Sequence, residues 1–270
     1  MAISRSQLVK ELEPGLNALF GLEYNRYENQ HAEIFDTETS DRAFEEEVMF
    51  TGFATAPVKG EGSAVSYDTA QETYVSRYTN ETVALAFAVT EEAMEDNLYD
   101  TFSKLRARGL ARAMANTKQV KAADVFNNGF STAPAYIGGD GAAFFSGSHP
   151  TVSSGVQSNL AAAADLSEAA LETIITSIQK IKDDRNILIG ANAVSLHIPP
   201  DLWSTADQIL HSPGTTIAGG SGDGTYAQNN INAIRHMGMI PEGFMVNRRF
   251  TDTNAYFIKT DVPNLSLIHI

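Results

Sequence analysis

The side chains that could carry catalysis are scattered along the chain, and their spacing forms no catalytic signature. There are six histidines and no cysteine. The histidines are His31, His149, His197, His211, His236 and His269. None belongs to an HExxH pair or to another spacing typical of zinc ligands. Without cysteine there is no thiolate nucleophile, thiolate metal site or disulfide framework.

Support for a serine hydrolase is limited to one short stretch. Gly147-Ser148-His149 resembles part of a nucleophile turn, but no complete Gly-x-Ser-x-Gly pattern occurs. His197 lies in an apolar strand pattern, where a packed core residue is the simpler interpretation. We therefore predict no catalytic residue and a protein that is not an enzyme. The alternative is a soluble α/β hydrolase, with residues 51–89 as a lid over a pocket lined by His149 or His197.

Two other patterns resemble ligand sites in composition alone. Asp36, Glu38 and Asp41 lie close together, but the stretch lacks the glycine and the terminal glutamate of an EF-hand loop. The glycine-rich run at 219–224 lacks Gly-Lys-Ser/Thr, and it does not follow a strand and open a helix. We predict no metal site, no cofactor-binding site and no cofactor.

The charge of the chain restricts its partners. It has 270 residues, a net charge of −14 and a pI near 4.8. A protein this acidic is poorly suited to holding DNA or RNA through phosphate contacts, although it could face nucleic acid without gripping it. No apolar run approaches the ~20 residues that span a bilayer, and the N-terminal sequence has no apolar signal-peptide core. We expect a soluble, non-secreted protein without a membrane partner.

The longest predicted element is a helix over residues 90–126, with Thr90 as its N-cap. Acidic residues crowd its first turns and basic residues follow, which complements the helix dipole. Asn127-Asn128-Gly129 is expected to stop it. Large apolar residues recur at helical spacing and predict its buried face: Met94, Leu98, Phe102, Leu105, Leu110, Met114 and Val120.

The sequence before this helix predicts an arm and a strand-rich excursion. Residues 25–47 are strongly acidic and indicate an extended, solvated arm. Residues 48–58 and 72–90 have strand-like patterns, with a small, polar stretch between them that has little to bury. Such an excursion is typical of an active-site lid or of an arm that lies on another subunit.

The sequence after the helix predicts a glycine-rich linker, a second helix and a mixed module. Asp165 opens a capping box before that second helix. Its apolar stripe is Leu171, Ile174, Ile175, Ile178 and Ile181. A further helix is expected over residues 201–210. Strands are expected at Ile187–Ile189, Val194–Ile198, Ile234–Ile240, Phe244–Asn247 and Ala255–Lys259.

This order of elements, and several stretches within it, resemble the major head subunit of Mu-like tailed bacteriophages. The stretches are LEPGLNALFGLEY, FFSGSHPTVSSGVQSNLAAAADLSEAALETIITSIQKIKDDRN, VSLHIPPDLWSTADQIL and PEGFMVNRRFTDTNAYFIKTDVPN. They occur in the family's order and cover most of the chain. Because that family carries the HK97-type capsid fold, the resemblance implies an α+β fold of that type.

The resemblance also implies a division of the chain. Residues 1–50 would be the N-terminal arm, and residues 51–89 the extended β-hairpin called the E-loop. Residues 90–186 would form the peripheral domain, with the spine helix at 90–126. Residues 187–264 would form an axial domain, whose glycine-rich loop Pro213–Asn230 is the candidate for a contact at the five- and six-fold axes.

What the resemblance implies about function is structural. The chain would be a major capsid protein of a phage or prophage, made in the bacterial host cytoplasm and located in the virion. It would form hexamers and pentamers of an icosahedral shell that encloses DNA without sequence-specific binding. Scaffolding would come from a separate protein, and a portal would be a further partner. A capsid subunit should have a projecting hairpin and an arm that packs on nothing in its own chain, whereas an enzyme should have a deep pocket with converging polar groups.

The last six residues depart from the family. The family continues past a stretch like TDVPN into a final strand, whereas this chain ends at residues 265–270, LSLIHI. That hexapeptide matches the translation of a common sequencing-library adapter. We expect residues 265–270 to be a non-native tail and the axial module to be truncated near Asn264, which genomic DNA read through the locus would test.

Overall fold

A computed structural model describes residues 17–27, 29–88, 99–152, 155–217 and 228–262. The chain divides into two compact units. The first comprises Met1–Asp41 and Asn80–Ala123, and the second comprises Arg42–Thr79 and Asp124–Ile270. The run at 219–224, His269 and the tail at 265–270 lie outside the described residues, as do the start of the arm and the predicted cap Thr90.

The first unit is helical. Helix α1 covers residues 17–24, α2 is Gln30–Ile34, and the long helix α3 is Tyr99–Asn127, with its last turn assigned to the second unit. The predicted end of the long helix is confirmed. In the second unit Asn127 supplies the stop, because its side chain donates to the Arg249 carbonyl at 3.0 Å and accepts from the Thr251 amide at 3.0 Å.

The fully buried face of α3 is built mainly from small side chains. Of the predicted stripe of large residues, Leu110 and Met114 are half-buried, whereas Leu105 and Val120 are not part of the buried face. Leu105 is 65% exposed and Val120 is 46% exposed; Met94 and Leu98 lie outside the described residues. Every fourth residue is buried instead: Ser103, Ala107, Ala111, Ala115, Gln119 and Ala123. Because four residues exceed one turn of 3.6 residues, this row winds slowly around the helix. Small side chains allow close packing, which a search for large apolar residues does not detect.

Part of the predicted arm packs on α3, contrary to the expectation that it packs on nothing in its own chain. Glu23 is buried, and its carboxylate lies 3.4 Å from Nε of Arg108. The buried His31 donates its backbone N–H to Oε1 of Gln119 at 3.0 Å, while its ring Nδ1 lies 2.8 Å from the same amide's Nε2. Since buried polar groups need partners, this reciprocal pairing anchors α2.

The second unit contains an antiparallel hairpin whose strands differ from the predicted ones. Strand β1 is Phe44–Phe50, inside the predicted arm, and β2 is Glu72–Thr79. Val48 pairs with Val75, and the ladder ends where Phe44 meets Thr79. Residues 80–88 form no strand. Residues 51–71 are an irregular loop joining the strands.

A three-stranded sheet forms the core of the second unit. Its central strand β5, Ala193–Ile198, pairs in parallel with β8, Phe244–Val246, and antiparallel with β9, Phe257–Thr260. These three predicted strands are confirmed. The other elements are β3 (His149–Pro150), β4 (Val156–Gln157), α4 (Glu168–Gln179), a 3-10 turn (Pro200–Leu202), α5 (Trp203–His211), β6 (Gly214–Ile217), β7 (Gln228–Ile231) and α6 (Ala233–Met237).

The apolar stripe of α4 is confirmed, since Leu171, Ile175 and Ile178 are buried in the same cluster as Leu196 and Ile198. Its cap is not Asp165, however. Ser167 is the N-cap, and its hydroxyl accepts the N–H of Ala170 at 3.2 Å.

Two predicted strands are wrong. Residues 187–189 make a single bridge, Lys182 to Leu188. The stretch beginning at Ile234 is helix α6: Asn232 caps its start by accepting the Arg235 amide, and Gly238, at φ +60°, ends it. A five-residue helix is too short for its apolar residues to show a helical repeat in the sequence.

A cluster of phenylalanine rings joins the end of α3 to the glycine-rich loop and the sheet of the second unit. The Phe126 ring lies 5.0 Å from that of Phe257, centroid to centroid, and Phe145 stacks on Phe257 at 4.9 Å. A Cβ on Gly129 would come within 2.4 Å of the Phe145 ring, so only glycine fits there.

The alanine row of α3 predicts an overpacking penalty. We expect Ala111→Leu to lower the free energy of unfolding by about 1–3 kcal/mol, since Ala111 is 0% exposed and has no room for three more carbons. Urea unfolding followed by circular dichroism would measure it. Ala113→Leu, on the opposite side of the same helix, is the matched control. Equal stability of the two variants would contradict the assignment of the buried face.

Candidate assembly surfaces

The β1–β2 hairpin is anchored to the rest of the second unit by contacts that involve backbone carbonyl groups. A Cβ on Gly139 would lie 2.6 Å from the Val75 carbonyl oxygen, so this loop packs directly on β2. The Tyr74 hydroxyl donates to the Pro150 carbonyl at 3.4 Å. At the foot of the loop, Arg185 Nη2 donates to the Thr69 carbonyl at 2.7 Å. The hairpin is therefore fixed at its base and along β2.

The turn that carries Arg185 is rich in buried charge. Asp183 accepts the backbone N–H groups of Arg185 and Ile187 at 2.9 and 2.7 Å. Asp184 is buried, and burial followed by the charge of Asp183 raises the pKa of its carboxyl. The contacts of Asp183 fix the turn that presents Arg185 to the Thr69 carbonyl.

Beyond this base, the hairpin exposes many large apolar side chains. Val58 and Tyr67 are 101% and 98% exposed. The other exposed members are Phe44, Phe50, Phe53, Val65, Val75 and Tyr78. Scattered exposed hydrophobic residues are ordinary, but eight within one hairpin indicate a surface that another molecule covers.

One face of the hairpin is stiffened by a charged network. The Arg77 guanidinium lies 4.4 Å from the centre of the Phe44 ring, and its Nε is 2.7 Å from a Glu46 carboxylate oxygen. Both partners stand on the neighbouring strand. Cross-strand pairs of this kind stabilise a two-stranded ladder.

The geometry of His149 opposes its use as a general base. Its Nδ1 lies 2.7 Å from an Asp140 carboxylate oxygen, and its Nε2 lies 3.1 Å from Oδ1 of Asn159. That amide is oriented by its own nitrogen, which donates to the Phe144 carbonyl at 2.7 Å. Both ring nitrogens therefore face acceptors rather than a serine hydroxyl, and the network ties together the glycine-rich loop.

His197 is the packed core residue that its apolar strand predicts. It is 2% exposed, and its Nε2 lies 3.0 Å from the Ser195 hydroxyl, which is also buried. Burial, followed by the charge of Lys259, lowers the pKa of His197 to about 4. This serine–histidine pair has no access to a substrate.

The rival hydrolase required a pocket at one of these histidines. A surface cleft of about 270 Å³ lies in the second unit, lined by polar residues that include Gln157, Lys180 and Asp183. Neither His149 nor His197 lines it. Among the described residues, no group of three histidine or acidic side chains could hold a metal ion, and Asp36, Glu38 and Asp41 are exposed.

Comparison with known proteins favours the structural interpretation. A model of the family described as phage capsid protein matches residues 73–267, more than two thirds of the chain. The chain belongs to this phage capsid protein family. No curated protein matches it, and no solved structure does. Of the described helices, none is long and apolar enough to cross a membrane.

Family membership gives the chain a structural role in the virion, within a shell of many subunits. The resemblance seen in the sequence is confirmed to this level, and the α+β character of the structure agrees with it. The exposed hairpin then has a natural interpretation as a subunit contact. Sequence reasoning missed the alanine row and the residues that anchor the hairpin, because each depends on which distant backbone lies nearby.

Anchoring of the hairpin predicts sensitivity at Gly139. Gly139→Ala would force the loop and β2 apart, and we expect the free energy of unfolding to fall by about 1–3 kcal/mol. We also expect faster amide hydrogen exchange in β2. Gly147→Ala is the control, since a Cβ there meets nothing within 4 Å. Identical exchange and stability in both variants would show that the loop does not hold the hairpin.

Burial of His197 predicts acid sensitivity. The pKa of His197 is about 4 in the folded chain, against an ordinary value of 6.5. As the pH falls, the unfolded chain therefore binds a proton at a pH where the folded chain does not. The contribution of neutral His197 to the free energy of unfolding is fully present above the pKa of this histidine in the unfolded chain. We expect about 2 kcal/mol of that free energy to be lost between about pH 7 and about pH 5.

Urea unfolding at both pH values would measure that loss. His197→Gln should flatten the pH dependence by a similar amount. An unaltered slope in His197→Gln would contradict the neutral, buried state of this histidine.

Proposed function

We propose that copies of this chain assemble through hexamers and pentamers into an icosahedral shell that encloses phage DNA. The observation that carries the proposal is the apolar hairpin. Its eight exposed large side chains cannot be buried by a two-stranded ladder, and family membership supplies the covering molecule, a second copy. Burying each such side chain is worth about 1.5–3 kcal/mol before the costs of association.

The finer assignment is that the chain is a Mu-like major head subunit with the HK97-type fold. Residues 1–50 would then form the arm, although the part from 17 to 35 also packs on its own α3. Residues 51–89 would include the E-loop, with the ladder extended back to Phe44. Residues 90–186 would form the peripheral domain with its spine helix, and 187–264 an axial domain. The quoted sequence stretches support this division.

The proposed partners follow from the same role. A separate scaffolding protein and a portal would complete the head, and DNA would be enclosed without sequence-specific contacts. The net charge of −14 supports the last point, since a strongly acidic wall does not retain phosphates. The proposed activity is assembly rather than catalysis, as the occupied ring nitrogens of His149 and the burial of His197 favour.

Assembly should depend on the most exposed hairpin side chains. We expect the double variant Val58→Asp, Tyr67→Asp to fold with an unchanged melting temperature and to form no shells. The reason is that both side chains are free of contacts in the isolated subunit but would place charge inside an apolar interface. Light scattering and negative-stain electron microscopy would measure assembly, with the chain produced alone and beside the neighbouring head genes of its phage.

The conservative variant Val58→Ile, Tyr67→Phe is the matched control and should assemble like the unaltered chain. A compact monomer or dimer of the unaltered chain under both conditions would overturn the proposed function. Normal shells from the aspartate variant would instead show that the hairpin is not the covering surface.

A further inference from the structure

The side of α3 opposite the alanine row carries no charge over three turns. Its members, at every fourth position, are Leu105, Gly109, Ala113 and Thr117. Leu105 is 65% exposed, and the Thr117 hydroxyl donates to the Ala113 carbonyl at 2.9 Å, so its polar atom is turned onto the helix. A helix face directed at solvent is normally polar, and this one is apolar and smooth.

Basic side chains border this uncharged row on both sides. Lys104, Arg108 and Arg112 follow one another at every fourth position on one flank, and Arg106 and Lys118 stand on the other. All five residues are exposed, and no acidic residue occurs between positions 101 and 123. We call the row and its two flanks the basic-edged face of α3. Its concentration of positive charge stands out in a chain whose net charge is −14.

The structure shows which chemistry this face accepts. The Glu23 carboxylate already lies 3.4 Å from Arg108, at the border of the face, and Glu23 is buried there. Side-chain carboxylates are therefore compatible ligands for this flank. The phosphate backbone of a nucleic acid could also contact the basic side chains, but it has no apolar group to cover Leu105 and the uncharged row. The net negative charge of the chain also repels phosphate.

Resting on the proposed function, we infer that the basic-edged face of α3 binds residues 36–41 of a second copy of the chain. That segment, DTETSD, has no regular structure, and Asp36, Glu38 and Asp41 are all exposed. Extended, it spans roughly 16 Å at ~3.3 Å per residue. Lys104 to Arg112 spans roughly 12 Å along the helix at ~1.5 Å per residue. The extended acidic segment is therefore long enough to reach from Lys104 to Arg112.

A contact between copies explains why both rows stay exposed in one chain. Among the described residues of the first unit, the three acidic side chains and the five basic side chains are all exposed, so the described part of the chain does not cover one row with the other. Exposed ion pairs contribute little one at a time, but a shell repeats each contact in many subunits. Such a contact sets orientation and the rate of association more than affinity.

Charge reversal tests the contact in the full chain. The segment variant is Asp36→Lys, Glu38→Lys, Asp41→Lys, and the helix variant is Lys104→Glu, Arg112→Glu. Arg108 is left unchanged because it holds Glu23. We expect each variant to keep the fold by circular dichroism and to lower shell yield by roughly tenfold at low salt.

Mixing the variants decides whether the contact is between copies. In a mixture of the two variants, a reversed segment meets a reversed helix only across two chains. Because alternating copies satisfy every such contact in a ring of six but not in a ring of five, an equal mixture should recover hexamers. The variant that combines all five reversals in one chain should recover shell assembly. Recovery in the combined chain without hexamers in the mixture would place the contact within one chain and overturn the inference.

A matched control has the same charge change on other exposed acids: Glu172→Lys, Asp201→Lys, Glu242→Lys. It should assemble normally, whereas an equal loss in the control would make net charge the cause and overturn the inference. Salt provides a measurement that needs no variant: assembly of the unaltered chain should slow between about 0.05 and about 0.5 M sodium chloride, since the pairs are exposed.

The remaining outcomes are also decisive. Normal shells from the helix variant, with less DNA retained, would assign the face to nucleic acid and overturn the inference while the proposed function stands. Normal shells with normal DNA content from both variants would also overturn the inference while the proposed function stands, and they would leave the basic-edged face of α3 without a binding partner. No shells from the unaltered chain would remove the proposed function and this inference with it.

Discussion

The packing of Phe126 against the other phenylalanine rings is the interaction on which the second unit depends. Its ring centroid lies 5.7 Å from those of both Phe145 and Phe250, and 5.0 Å from that of Phe257. These rings belong to the glycine-rich loop, to the loop after β8 and to β9. A helix end, two loops and a sheet edge are thus fixed at one point, where edge-to-face packing adds to the burial of apolar area.

The candidate assembly surface follows from that point of attachment. The glycine-rich loop held by Phe145 also presents Gly139 to β2 and Pro150 to Tyr74. A two-stranded hairpin is marginal by itself, so these contacts decide its direction while leaving its apolar side chains uncovered. Subunits of a capsid shell in general gain stability by covering such surfaces with their neighbours, whereas an enzyme typically buries its apolar residues around a pocket.

Local sequence patterns predicted the elements whose burial is one-sided and regular. The stripe of α4 was identified correctly because Leu171, Ile175 and Ile178 are large and face one core. The stripe of α3 was not, because its buried residues are alanines and the large Leu105 faces outward. Similarly, the helix that begins after Asn232 is too short for periodicity, and its caps carried the information instead.

The sequence by itself determined the family, the end of the long helix at Asn127, the stripe of α4 and the three strands of the central sheet. These follow from periodicity, capping chemistry and family-specific stretches, all of which are local. Only the tertiary structure decided that His149 is held between Asp140 and Asn159, that Gly139 lies against Val75, and which face of α3 is buried. Each of those depends on residues far apart in the chain, and no pattern within one segment specifies which distant backbone will lie beside it.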